Sequence, residues 1–209
     1  MKSINKLNRI IDFCDKSIEI SANDHIGNFS SLQEWIDIIN SLPDYHFHIN
    51  QDLTDRLLEA GTIYSFSIGG LDRKPDFEAH GINFSEVIDK AYIYLFPEET
   101  FIPSDESLTV FDLLAKRCKF DVMLEVNSHK SDNLTIEEYI EEINSISPSP
   151  PEIEAELSKE IIEANRIISL QMYPDGSVGS YMIYGSDLEE ILFACHECLD
   201  SHEIKYKRR

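Results

Sequence analysis

The chain has 209 residues, 42% of them apolar, and sets 39 Asp and Glu against 18 Lys and Arg, for a formal net charge of -21. A field of that sign repels nucleic acid and anionic membrane and draws basic partners inward. The chain has no run of about 18 apolar residues to span a bilayer, and 11 Phe, 9 Tyr and a Trp supply more burial than a disordered acidic tail carries.

The length suits one globular domain, with or without a smaller attached subdomain. Met1 to Leu7 lacks the unbroken apolar region of a signal peptide. The four cysteines, Cys14, Cys118, Cys195 and Cys198, are too few and too irregularly spaced for a disulfide framework. A soluble cytoplasmic protein is the expectation.

In chain order, Ile4, Leu7, Ile11, Cys14 and Ile18 recur at three and four residues and predict a first helix of about five turns. Ser31 and Glu34 have capping-box spacing ahead of a second helix. Its apolar face is Leu32, Trp35, Ile36 and Ile39, and Pro43 bars its continuation. Tyr45, Phe47 and Ile49 alternate with His46 and His48 as a short strand. Leu53 to Ala60 reads as a brief helix closed by Gly61, and Thr62 to Ile68 as a buried strand. Gly69-Gly70 and Pro75 then break the periodicity. Val87 to Phe96 reads as a helix begun near Ser85, with a strand around Tyr92 to Phe96 as the alternative.

Pro97 and Pro103 bracket an acidic loop, and Leu108 to Cys118 is helical. Phe120, Val122, Leu124 and Val126 alternate with Asp121, Met123, Glu125 and Asn127 in the cleanest strand pattern of the chain. Thr135 and Glu138 again have capping-box spacing, opening a helix with apolar positions Ile136, Tyr139, Ile140, Ile143 and Ile146. The Pro-rich run 147–151 stops it and is the candidate subdomain junction. A helix from Glu152 to about Asn165 follows, then a β-hairpin over about 167–184 turning at Pro174 to Ser177, and a last helix capped by Ser186 and Glu189. No internal repeat has a solenoid or propeller period. The fold class is therefore α+β, helix-rich, with a mixed or antiparallel sheet.

Acidic charge concentrates between Asp132 and Glu163, where ten acids (Asp132, Glu137, Glu138, Glu141, Glu142, Glu152, Glu154, Glu156, Glu160 and Glu163) meet the single base Lys159. Glu137 with Glu141, Glu138 with Glu142, Glu152 with Glu156, and Glu156 with Glu160 have i,i+4 spacing, each like-charged pair costing roughly 0.2–0.5 kcal/mol on a helix. A cationic partner would relieve that repulsion. The plainer reading is a solvated face, with first-turn acids favoured by the helix dipole. The basic tail Lys205 to Arg209 reads as a frayed end.

Three clusters invite chemistry. Cys195, Cys198 and His202 fall on neighbouring turns of one helix face as candidate zinc ligands, but Leu188, Ile191, Leu192, Cys195 and Leu199 also form that helix's apolar stripe. His46 and His48 share one side of their predicted strand, ahead of Asp52, as a candidate metal pair. Cys118 sits among Lys116, Arg117 and Lys119, which favour a thiolate, at a helix C-terminus that disfavours one. Each is read as structural. There is no Walker loop, G-x-G-x-x-G, G-x-S-x-G, H-E-x-x-H or EF-hand loop, and no cofactor is expected.

The sequence thus points to a non-enzymatic acidic binding or inhibitory protein that captures a basic protein partner, of the kind an immunity protein is for a nuclease-like toxin. Glu137, Glu138, Glu141, Glu142, Glu152, Glu156, Glu160 and Glu163 are the candidate partner-binding residues. A zinc or thiol enzyme is the alternative, and an adaptor with a merely solubilising surface is the second.

Overall fold

The structure is a computed structural model. It describes the chain outside residues 1–2, 28–29, 43–47, 70–74, 100–109, 119–120, 147–151, 173–180 and 208–209, with backbone alone at 27, 110 and 201–207. The elements are α1 (Ser3–Phe13), β1 (Ile18–Ala22), the short α2 (Asp24–Gly27), α3 (Leu32–Ser41), α4 (Gln51–Ala60), β2 (Tyr64–Ile68), β3 (Phe77–Gly81) and α5 (Phe84–Leu95). They continue with α6 (Val110–Arg117), β4 (Val122–Val126), a 3-10 turn (Ser128–Lys130), α7 (Ile136–Ser145), α8 (Ala155–Ala164), β5 (Ile168–Met172), β6 (Tyr181–Gly185) and α9 (Leu188–Lys207). The class is α+β, and the sheet is antiparallel throughout, six strands in the order β3-β2-β1-β4-β5-β6. No described helix is long and apolar enough to cross a membrane.

That strand order is a palindrome, and the sequence explains it. From Ile18 to Val122 is a step of 104 positions, and the same step carries α3 to α7, α4 to α8, β2 to β5, β3 to β6 and the start of α5 to the start of α9 without a single shift in register. Identical residues recur at that spacing: Asn23 and Asn127, His25 and His129, Glu34 and Glu138, Ile36 and Ile140, Asn40 and Asn144, Ile49 and Ile153, Ile63 and Ile167, Gly81 and Gly185. The chain is a tandem duplication, its period far longer than those of solenoids and propellers. The halves meet along β1 and β4, where Ile18 faces Val126, Ile20 faces Leu124 and Ala22 faces Val122. Each contact there is mirrored by its exchanged counterpart, as at a two-fold interface.

One sheet face is apolar. Ile18, Ile20, Ala22, Phe66, Ile68, Leu124, Val126, Leu170 and Met172 are buried there beneath α1, α5, α6 and α9, with Leu7, Ile10, Val87, Ile88, Leu114, Ile191 and Cys195 filling the layer. Helix α1 docks on α5 through Ser3 Oγ and Ser85 Oγ at 2.7 Å and through the Lys6–Asp89 ion pair at 2.5 Å. The other face carries two helical hairpins. Hairpin α3/α4 has its own core of Leu32, Ile36, Ile39, Ile49, Leu57 and Ile63, and α7/α8 repeats it with Ile136, Ile140, Ile143, Ile153, Ile161 and Ile167.

The same hydrogen bonds hold both hairpins. Asn40 Nδ2 donates to Ile49 O at 2.9 Å and Asn40 Oδ1 accepts from Ile49 N–H at 2.8 Å; Asn144 binds Ile153 identically at 3.1 and 2.7 Å. Both capping boxes form, Ser31 with Glu34 and Thr135 with Glu138. Helices α4 and α8 end in left-handed residues, Gly61 at φ +64° and Asn165 at φ +49°, the two residue types that tolerate that region best.

Several boundaries differ from expectation. The first helix ends at Phe13, and Ile18 opens β1, since Ile18, Ile20 and Ala22 follow a period of two on the core face. Helix α8 begins at Ala155 rather than Glu152, because Asn144 binds both backbone groups of Ile153 and the N-cap Glu154 is extended; Glu152 and Glu156 are therefore not helical neighbours. Asp187, not Ser186, caps α9, its Oδ1 accepting from Glu190 N–H at 3.0 Å. Of the strand expected around His46 and His48, residues 43–47 lie outside the described residues, and His48 to Asn50 is irregular. The junction at 147–151 and the hairpin turn also lie outside them. Helix α5 takes the helical reading of 87–96, and β3 was unforeseen.

Removing either duplicated amide orphans a backbone N–H and C=O at once. Asn40→Ala and Asn144→Ala are each expected to cost about 1–3 kcal/mol. Urea denaturation of the two variants would read this as a matched pair.

Candidate functional site

The two hairpins stand at opposite edges of the same sheet face. Trp35 of α3 sets its ring edge-on to His80 of β3, centroids 5.9 Å apart, while Tyr184 of β6 packs into the α7/α8 core. Between them the floor is largely polar, because the side chains opposite the apolar face are Glu19, Ser21, Ser65, Ser67, Glu78, His80, Met123, Glu125, Ser169 and Gln171, with Met182 and Tyr184 at the β6 edge.

Register sets these in rows. Glu78 pairs with Ser67, Ser67 with Glu19, Glu19 with Glu125, Glu125 with Ser169, and Ser169 with Tyr184. Three glutamates thus lie in one line across four strands. Glu19 and Glu125 are direct cross-strand neighbours, whose Cβ atoms stand about 4.5–5.5 Å apart in such a pair, an arrangement that destabilises the sheet when both are charged.

A cavity of about 170 Å³ opens over this pair, walled by Ser17, Gly69, Ser128, Ser131, Asp132 and Tyr139. Ser131 Oγ donates to Ser17 Oγ at 2.7 Å, and Ser128 Oγ meets Tyr139 Oη at 2.9 Å, so the walls are tied to one another. Glu125 Oε2 accepts from Ser169 Oγ at 3.3 Å. Among the described residues, Glu19 Oε2 and Glu78 Oε2 are buried without a hydrogen-bond partner. Burial first, and then the charges of Glu125, Asp24 and Glu78, push the Glu19 carboxyl up to about 7. Burial raises Glu125 as well.

At the β3 edge Ser65 Oγ lies 3.0 Å from His80 Nδ1, and His80 Nε2 lies 3.1 Å from Glu78 Oε1 without hydrogen-bond alignment. This Ser-His-Glu string resembles a hydrolase relay only in composition. His80 is 4% exposed, with Trp35 against it, and no cavity described here reaches it.

The expected residues fall elsewhere. Glu137, Glu138, Glu141 and Glu142 on α7, Glu152 ahead of α8, and Glu156, Glu160 and Glu163 on α8 are all exposed. Glu138 is spent on its capping box, and Glu163 lies 3.7 Å from Lys159. The acids of α3 and α4 went unread: Glu34, Asp37, Asp52, Asp55 and Glu59 are exposed too, against Arg56, which is bridged to Glu86 at 3.1 Å. Cys195 is fully buried, its thiol pushed up to about 12 by desolvation and then by Cys198 and Cys118. Cys118 is buried, while Cys14 and Cys198 are half-buried; all are free thiols. His46 and the side chain of His202 lie outside the described residues, and His48 is exposed. Among the described residues no three His, Cys, Asp or Glu side chains are placed to hold a metal ion.

No protein-family model, no curated protein and no solved structure matches this chain.

The raised Glu19 carboxyl fixes the sign of a pH effect. The folded state binds its proton more tightly than the unfolded state does, so the penalty is absent in acid, grows as pH rises above the ordinary value of 4.5, and is complete above about 7. Glu19→Gln is expected to stabilise the protein by about 1–3 kcal/mol at pH 8, a Tm gain of several degrees, and to converge on the parent below about pH 4. Thermal melts across pH test this. For the thiols, iodoacetamide at pH 8 should spare Cys195 until urea unfolds the chain, as mass spectrometry of the alkylated peptides would show.

Proposed function

We propose that this chain is a stoichiometric binding protein that captures a basic protein on the face bearing its two acidic hairpins, as an immunity protein occludes the cationic cleft of a nuclease-like toxin. The observation that carries this reading is the placement of the acids. Both hairpins stand on one side of the sheet, and their exposed carboxylates face outward with their two bases already paired. Exposed acids also lie on α9 (Glu189, Glu190, Glu197 and Asp200), but the two hairpins bring theirs together on one side of the sheet.

The floor between the hairpins is acidic as well, at a cost to the sheet that solubility does not require. A buried carboxyl oxygen without a partner calls for an explanation, and an incoming cation supplies one. Long-range attraction would set the rate of encounter, and close contacts the lifetime of the complex. The buried Cys195 and its raised thiol weigh against a thiol enzyme.

Full-length protein immobilised in native lysate should retain a basic protein that elutes as salt rises, because screening shortens the reach of exposed charge to about 10 Å at 0.1 M. A variant with Glu137, Glu141, Glu142, Glu156 and Glu160 changed to Gln should associate with that partner at least about tenfold more slowly, with folding intact by circular dichroism. Equal association by parent and variant would leave the surface merely solubilising.

A further inference from the structure

The cavity over Glu19 and Glu125 is not needed by the fold. A sheet of this register is served better by Ser or Thr at both positions, as Ser67 and Ser169 show on either side of the pair. Instead two carboxylates face each other, Glu19 Oε2 is buried without a hydrogen-bond partner, and a third carboxylate, Glu78, lies in the same row outside the cavity with its own Oε2 unpartnered. Glu78, whose side chain is 7% exposed, points to the same face one strand beyond Ser67, close enough to bear on Glu19.

We infer that this cavity is a socket for one organic cation, the guanidinium or ammonium end of an Arg or Lys side chain presented by the captured protein. Its size agrees: about 170 Å³ is near the roughly 150 Å³ that accepts a benzene ring. The chemistry agrees too. A planar guanidinium donates along a fork that suits paired carboxylates, and Tyr139 supplies an aromatic wall for the stem. Among the described residues no basic side chain lines the cavity. Duplication sharpens the point, since the positions equivalent to Glu19 and Glu125 are Met123 and Ser21. The pair therefore arises only where the two halves meet, one acid from each.

This inference rests on the reading of the chain as a captor of basic proteins, and its test is separate from that one. Butylguanidinium chloride would be titrated into the full chain at pH 8 and constant ionic strength, with the Glu side-chain carboxyl carbons followed by NMR. The Glu19 and Glu125 signals should shift saturably, and Glu19→Gln or Glu125→Gln should weaken the response at least about tenfold. Glu19→Gln is expected to be the more stable protein at that pH, so its loss of binding is not a loss of fold. The variant neutralised on α7 and α8 should respond as the parent does.

Butylurea, similar in shape without the charge, should leave the signals in place; an equal response to it overturns the socket. So does saturation by calcium chloride where butylguanidinium fails, which makes the site one for a metal ion. Saturation by spermidine about a hundredfold below butylguanidinium assigns the site to a free polyamine and overturns it equally. If the carboxyl signals ignore butylguanidinium while the protein still retains its basic partner, the socket is wrong and the capture stands.

Discussion

Ile20 faces Leu124 where β1 meets β4, and every other strand is added outward from that pair. The register there decides which side chains of both halves share a face. One residue of slip in β1 would turn Glu19 into the apolar layer and Ile18, Ile20 and Ala22 out of it. The apolar layer is continuous across the seam, with Ile18, Ile20, Val122, Leu124 and Val126 in a single core beneath α1, α5, α6 and α9. The seam is therefore held by burial as well as by its ladder, and it places the hairpins of both halves on one side.

Duplication accounts for much that is otherwise arbitrary. Two Asn side chains clamp two Ile backbones, two capping boxes open two helices, and two left-handed residues close two others, each at the same step along the chain. Asn23 and Asn127 both take positive φ just past their central strands and receive Ile63 and Ile167 in the same way. Packing and capping are what the copies share. Polar lining is where they part.

Much of the fold could be read from the residues alone. The caps at Ser31 and Thr135, the stop after Ala60, and the alternation of Val122 to Val126 are local signals, written within a few residues of where they act. Strand β1 was hidden because Ile18 continues the spacing of α1, and five residues are too few to set one period against another. Strand β3 was hidden because Glu78 and His80 make poor strand signals, favoured there only by their neighbours. The repeat escaped because its shared residues are scattered Asn, His and Ile rather than a motif. Long-range register placed Glu19 beside Glu125, so the cavity had no signature at all, whereas the exposed acids of α7 and α8 were plain.

Divergence between the copies has a geometric consequence. Trp35 is matched by Tyr139, His80 by Tyr184, and Glu78 by Met182, so a nearly two-fold frame bears a sheet face with Glu78 and His80 toward β3 and with Met182 and Tyr184 toward β6. A frame with true two-fold symmetry would accept a visitor in either of two opposed orientations. This one has a polarity, its two ends differing in charge and in shape.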